Sequence, residues 1–267
     1  MDLGLKGQVA LVTGASKGIG KNIAKALAAE GVRLVICSRR QVNLKTVQKE
    51  LRVIGAKVEA ITCDVTSISD VRKVMKFIDK KFGRLDILVN NAGGVDQFGN
   101  FMELNEDAWL QSFQTNVMSV VHCVRYALPL IRKSSRGKIL NISSISGVEP
   151  GYYNSHYTAA KAAVINLTKS LANQLSQENI LVNVICAGPV LSDLWDRNVK
   201  NLADKFNISF QEAKKRFDQE ECAKIPLGRV GVGEDIAGLA VFLVSKQASW
   251  VTGSCFHVNG GKLRAMC

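Results

Sequence analysis

Short runs of apolar, largely β-branched residues alternate with longer stretches of helical periodicity along almost the whole chain. The runs fall at residues 8–12, 33–37, 58–62, 87–90, 138–142, 181–186 and 254–258. Helix-like stretches lie between them at 19–29, 42–54, 70–82, 107–131, 157–175 and 234–244. Strands that are apolar on both faces, separated by amphipathic helices, bury themselves as a parallel sheet with right-handed crossovers. The expected fold is α/β: a doubly wound, seven-stranded parallel sheet with helices on both faces. No Pro/Gly/Ser linker and no repeat breaks the series, so one domain is expected over 1–267. The exception is the polar, weakly periodic interval between Pro189 and Pro226. A long excursion of that kind is expected to be a substrate lid, at about 190–225.

Charge is the compositional anomaly: 35 Lys+Arg against 23 Asp+Glu give a net +12 over 267 residues. Such a balance points to nucleic acid, to an anionic cofactor or to nothing in particular. Its distribution argues against nucleic acid. Between residues 70 and 82, Val71, Val74, Met75, Ile78 and Phe82 form one face, leaving Arg72, Lys73, Lys76, Lys80 and Lys81 to solvent. No aromatic interleaving or helix-turn-helix pattern accompanies the remaining bases. A membrane partner is not expected either, because the longest apolar runs fall well short of the ~18–20 residues a bilayer requires. The first residues show no secretory pattern, and a cytoplasmic location is expected. The seven cysteines form no C-x-x-C pair and there are three histidines, so reduced thiols and no metal site are expected.

Directly after the first strand comes Thr13-Gly14-Ala15-Ser16-Lys17-Gly18-Ile19-Gly20, opening a helix. Glycines there permit a tight turn and close approach to a pyrophosphate, and the helix N-terminus supplies free N–H groups and partial positive charge. Its place between the first strand and first helix makes this a dinucleotide-binding loop. The second strand ends in Cys37-Ser38-Arg39-Arg40, without the acidic residue that would accept from a ribose 2′-OH. Arg39 and Arg40, with Lys17 in the loop, suit a 2′-phosphate instead. NADP(H) is therefore the expected cofactor; the competing reading is two ordinary surface arginines at a strand end.

Tyr157 and Lys161 stand four apart, on one face of a helix. Thirteen residues upstream of Tyr157, Ser144 closes a strand, and Asn90-Asn91-Ala92-Gly93 follows the fourth strand. Asn116 lies in an otherwise apolar helix, where an amide is costly without a partner. Taken together, these motifs resemble the short-chain dehydrogenase/reductase family, in its single-domain, Rossmann-type branch. The resemblance runs from the glycine loop to Val258-Asn259-Gly260-Gly261.

The resemblance implies a catalytic tetrad of Asn116, Ser144, Tyr157 and Lys161. It implies cofactor contacts from Gly14, Ser16, Lys17, Gly18, Ile19, Gly20, Ser38, Arg39, Arg40, Asp64 and Val65. Further contacts fall to Asn91, Ala92, Gly93, Tyr157, Lys161, Gly188, Pro189, Val190 and Ser192, with Asp64 on the adenine and Lys161 on the nicotinamide ribose. Asn90 would tie neighbouring strands beneath the cofactor. The chemistry agrees: a free tyrosine pKa of about 10 suits neutral operation poorly, and a nearby ammonium is expected to lower it. Ser144 would hydrogen-bond the carbonyl oxygen, and Asn116 would hold a water between Lys161 and solvent.

Two departures stand out. Where the family usually has Pro-Gly and then Thr, this chain has Ala187-Gly188-Pro189 and Ser192, which puts the lid's exit from the sheet in doubt. For substrate, Tyr152, Tyr153 and Trp195, with Ser144, are expected to wall a partly apolar pocket. A 3-oxoacyl thioester is the first expectation; a hydroxysteroid, a sugar or a small ketone is the alternative. A catalytically silent NADP-sensing regulator is the non-enzyme alternative. The family resemblance also implies a homotetramer, or a dimer.

Overall fold

The computed structural model describes residues 2–264, save the side chains of residues 193 and 194. Seven parallel strands form one sheet: β1 Val9–Thr13, β2 Arg33–Ser38, β3 Val58–Thr62, β4 Ile87–Asn90, β5 Lys138–Ser144, β6 Leu181–Ala187 and β7 Cys255–Val258. Their spatial order is β3-β2-β1-β4-β5-β6-β7. The chain winds outward from β1 to β3, returns beside β1 as β4, and continues the other way. That reversal opens a crevice above β1 and β4, at the carboxyl ends of the strands, where doubly wound sheets bind ligands.

The apolar runs have no polar face because each strand feeds two layers. In β1, Ala10 and Val12 pack into one core cluster, while Val9 and Leu11 pack into the other. The first layer holds α1 Gly18–Ala29, α2 Gln41–Val53 and α9 Gly233–Val244. The second holds α3 Ile68–Phe82, α5 Ser119–Ile131 and α6 Ser155–Leu175. Helix α3 shows the local logic: Ser67 caps its N-terminus by accepting from Asp70 N–H, and Gly83 ends it in the left-handed region at φ 72°. Each fully buried Leu, Ile or Val contributes about 1.5–3 kcal/mol. Val164 lies inside the second layer, with Leu167 and Leu171 partly buried against it.

One sequence expectation is corrected. The single helix expected over 107–131 is α4 Glu106–Phe113 and α5, joined by a π turn at Gln114–Met118. The apolar spacing could not show that turn because backbone direction continues through it. The basic residues Arg132, Lys133 and Arg136 precede β5 and so lie at the far end of the sheet from Ser144. Arg132 pairs with Glu178 and Lys133 with Asp79. No helix among the described residues is long and apolar enough to cross a membrane.

Between β6 and α9, helices α7 Asp193–Phe206 and α8 Phe210–Cys222 pack on each other. Their small core comprises Trp195, Val199, Ala203, Ala213, Ile225 and Val230. Trp195 is only 6% exposed, meets Phe217 edge-on at 4.6 Å, and donates from Nε1 to Asp218 Oδ1 at 2.8 Å. The expectation that Trp195 covers a substrate is therefore corrected: it is the anchor of the helical pair. Trp→Ala in a core costs about 3–5 kcal/mol. Trp195→Ala is accordingly expected to speed proteolysis between residues 193 and 222 at least about tenfold, with the sheet intact. Limited proteolysis with mass mapping checks this; an unchanged cleavage rate removes the anchoring role.

Candidate active site

The crevice begins at the glycine loop. Gly14 and Gly18 adopt left-handed conformations, at φ 64° and 55°, which turn the chain from β1 into α1. The N-cap residue Lys17 makes no side-chain capping bond to α1, and the first turn of the helix carries no acid. A Cβ at Gly20 would sit 2.3 Å from Asn91 Nδ2 and 2.6 Å from Gly14 O, so glycine is demanded by space. Buried Thr13 fixes the loop from below: its Oγ1 accepts from Asn91 N–H at 3.0 Å and Ala92 N–H at 3.1 Å. Asn91 Nδ2 donates to Thr13 O and Gly14 O. Asn91 thus holds the loop with its amide. Thr13 was missed by sequence reasoning, although a hydroxyl closing an apolar strand was the available signal.

The loop is joined to β2 by Ala15 N–H donating to Cys37 O at 3.2 Å, and the β3 exit by Cys63 N–H donating to Ser38 O at 3.0 Å. These ties gather Ser16, Lys17, Ser38, Arg39, Arg40 and Asp64 along one edge. Arg39 and Arg40 are exposed, and among the described residues neither forms an ion pair. Asp64 Oδ1 accepts from Thr66 N–H and Oγ1, which holds the carboxylate in place. Val65 is buried in the second layer beneath this edge.

A pyrophosphate dinucleotide fits these residues on three observations: the Cβ-free cradle, the helix end without an acid in its first turn, and a pair of exposed guanidinium groups beyond it. On the opposite wall, Gly188 N–H donates to Val258 O at 2.8 Å, and Leu191 N–H donates to Gly231 O at 3.0 Å. Pro189 and Val190 follow, and Ser192 starts α7 with no side-chain capping bond. The altered turn therefore still delivers Gly188 to Ser192 to the crevice.

The reacting groups meet above β4 and β5. Ser144 ends β5; its Oγ accepts from Ser146 N–H and from Ser146 Oγ, at 3.2 and 2.8 Å. Tyr157, one turn into α6, hydrogen-bonds Ser144. Lys161 is buried; its Nζ donates to Ile142 O at 3.1 Å and lies 5.6 Å from the Tyr157 ring centroid. Ser143 Oγ donates to Lys161 O at 2.9 Å, holding that turn of α6 to β5. The structure thus brings Ser144, Tyr157 and Lys161 together.

The expected electrostatics are corrected. Burial pushes Tyr157 up to about 12, opposed by its bond to Ser144 and aided by the nearby Cys186 thiol. Burial likewise pushes Lys161 down to about 8. The ammonium is bonded to the Ile142 carbonyl and stands 5.6 Å from the centre of the tyrosine ring, and desolvation is the dominant influence on the phenol.

Asn116 is buried in the π turn, a placement common at functional sites. Its Oδ1 accepts from Gly94 N–H at 3.0 Å, and its Nδ2 donates to Gly94 O and Ser112 O. The partner that a buried amide requires is therefore the backbone after Gly93, and Asn116 braces that loop beside Lys161. Beneath, Asn90 Nδ2 donates to Asn141 Oδ1 and Asn141 Nδ2 to Thr168 Oγ1, each at 2.8 Å. That polar chain ties β4, β5 and α6, as Asn90 was expected to do for its strands.

Tyr152 and Tyr153 stand 98% and 62% exposed and wall nothing within the chain. Asn154 N–H donates to Gly99 O and Asn154 Oδ1 accepts from Gly99 N–H, which brings their segment beside the one carrying exposed Phe98 and Phe101. A separate cavity of about 390 Å³ involves Asp96, Asp107, Gln111 and His156, and includes neither Ser144 nor Tyr157.

Residues 8–203 match the family model described as short chain dehydrogenase. The chain is 35% identical over 253 residues to a 3-oxoacyl-[acyl-carrier-protein] reductase of Staphylococcus aureus, covering 94% of this chain and 96% of that one. Among solved structures it is similar to L-sorbose reductase from Gluconobacter frateurii complexed with NADPH and L-sorbose, with a TM-score of 0.93, 32% identity and full coverage of both chains. It is also similar to an actinorhodin polyketide ketoreductase with NADPH, with a TM-score of 0.90, 32% identity, and 97% and 98% of the two chains covered.

Proposed function

Because this chain belongs to the short-chain dehydrogenase family, we propose that it is an NADP(H)-dependent oxidoreductase that interconverts a ketone and a secondary alcohol, with Tyr157 as acid and base. The observation that carries this reading is the meeting of Ser144, Tyr157 and Lys161 beside the glycine cradle. The NADPH complexes of similar reductases support the cofactor. NADPH, when bound, supplies the hydride.

The chain's own groups manage the oxygen. Ser144 Oγ donates to the substrate carbonyl, a bond that strengthens as negative charge develops. Tyr157, held well above neutral by burial, carries its proton at working pH and delivers it to the forming alkoxide. Lys161, brought down to about 8, returns a proton toward the tyrosine and holds the ribose end of the cofactor. Asn116 keeps Gly93 and Gly94 in position beside that lysine. A regulator that only senses NADP would have no need of this proton path.

The 2′-phosphate is read by Arg39 and Arg40. Arg39→Ala is expected to raise the KM for NADPH by roughly 10–100-fold, as loss of a charge-assisted contact worth about 1.5–3 kcal/mol implies. The KM for NADH should stay within about twofold. Parallel initial-rate measurements with both cofactors decide it, and equal effects refute the role.

For substrate, the exposed rim of Phe98, Phe101, Tyr152 and Tyr153 favours a carbonyl carried on an apolar chain, and the similar 3-oxoacyl reductases support a 3-oxoacyl thioester. Helices α7 and α8, residues 193–222, would close over it as the lid. A panel assayed by NADPH absorbance tests this, comparing 3-oxoacyl thioesters with ketohexoses and oxosteroids. The thioesters should exceed the ketohexoses in kcat/KM by at least about tenfold, since burying even two methylenes contributes about 1.6 kcal/mol. The reverse order overturns the thioester in favour of a polyhydroxy ketone, the substrate type bound in the similar sorbose reductase.

A further inference from the structure

The sulfur and imidazole groups at the sheet's β7 edge form a cluster that the reaction does not use. Cys186 on β6 and Cys255 and His257 on β7 have their ligand atoms within 4.8 Å of one another. Cys186 Sγ lies 3.3 Å from Cys255 Sγ, which lies 3.6 Å from His257 Nε2. Strand pairing creates the cluster. Cys186 is directly opposite His257 and Cys255 is opposite Val184, so a C-x-H pair on one strand meets a cysteine two positions along its neighbour. Sixty-nine residues separate the two cysteines, which is why no C-x-x-C spacing announced the group.

We propose that Cys186, Cys255 and His257 form a binding site for a thiophilic divalent cation, Zn²⁺ above all, joining edge strand β7 to β6. With Zn–S near 2.3 Å and Zn–N near 2.05 Å, tetrahedral ligands stand about 3.8 Å apart for S···S and about 3.6 Å for S···N. The observed spacings meet the second value and need a few tenths of an ångström to meet the first. Two thiolates and one imidazole are a zinc donor set, and the exposure of Cys255 leaves the fourth position to solvent water. Binding releases both thiol protons, one from each cysteine, as two sulfur–metal bonds form. A disulfide fits less well. Diagonal neighbours in a sheet lie about 7–8 Å apart at Cα, beyond the span a disulfide bridges without backbone movement.

The full chain, kept reduced and stripped of metal, is titrated with Co²⁺ and then with Zn²⁺. One equivalent of Co²⁺ should develop an intense thiolate-to-cobalt absorption that Zn²⁺ abolishes, and Zn²⁺ should raise Tm. Cys255→Ser and His257→Gln should each weaken Zn²⁺ binding at least about tenfold, since even supporting residues cost 10–100-fold. Cys222→Ser, a thiol outside the cluster, should leave it unchanged. If Cys255→Ser does not fold, His257→Gln carries the test. Absence of the cobalt absorption overturns the proposal, as do equal affinities in all variants. A Cys186–Cys255 disulfide found without reductant, in a chain that binds no metal after reduction, overturns it too.

Discussion

Tyr157→Phe is expected to lower kcat for ketone reduction by roughly 10²–10⁴-fold, the range general acid–base catalysis supplies. NADPH affinity should remain within about twofold. The substitution removes one hydroxyl and leaves the ring near Lys161 Nζ, so the lysine keeps its bond to Ile142 O. The bond between Tyr157 and Ser144 is lost, and with it the proton that the proposed mechanism delivers to the alkoxide. Ser144 cannot substitute, because a serine hydroxyl stabilises the oxygen by donating a hydrogen bond without giving up its proton. Steady-state rates and NADPH fluorescence titration together check the prediction. Turnover within about fivefold of the parent would move the acid role to another group. A corollary concerns pH: with the phenol held up to about 12, any alkaline loss of activity near pH 8 belongs to Lys161.

Gly20→Ala should be the most damaging single methyl group in the cofactor cradle. Its Cβ would fall 2.3 Å from Asn91 Nδ2 and 2.6 Å from Gly14 O. The first contact cannot be relieved by turning the amide, which is held by Thr13 O and Gly14 O. The second is with backbone. Overpacking of this kind costs about 1–3 kcal/mol, so NADPH Kd should rise roughly 5–150-fold as the loop is displaced. Gly238→Ala is the control, since a Cβ there meets nothing within 4 Å and alanine favours helix α9. Calorimetric titration should show unchanged Kd and a raised Tm for the control. An unchanged Kd for Gly20→Ala would mean that the loop accommodates the methyl group and that α1 does not set the phosphate position.

What was legible in the sequence was local or periodic. Unbroken apolar strands announced a sheet buried on both faces, and the structure shows why: Ala10 and Leu11 go to opposite layers. The four-residue spacing of Tyr157 and Lys161 gave their shared face. What the spacing could not give was where the long lysine stem ends, at the Ile142 carbonyl, or that burial would be the dominant influence on the phenol. Both depend on groups brought in by β5. Trp195 was misread for the same reason, because its partner Asp218 arrives 23 residues later on another helix. The π turn around Asn116 adds no residue pattern of its own; only the backbone shows it.

The buried chain from Asn90 through Asn141 to Thr168, which itself donates to Val164 O, has a dynamic consequence. Opening α6 would break the bond from Asn141 to Thr168 and leave the fully buried Asn141 amide without its partner, at a cost of about 1–3 kcal/mol. The catalytic helix and the two central strands should therefore unfold as one cooperative unit, with amide hydrogens exchanging near the rate of global unfolding. Helices α7 and α8, held by a core of their own, can open without breaking that chain. On the proposed reading, substrate would enter and leave through a loosely coupled part, while Ser144, Tyr157 and Lys161 stay fixed in the least exchangeable part of the molecule.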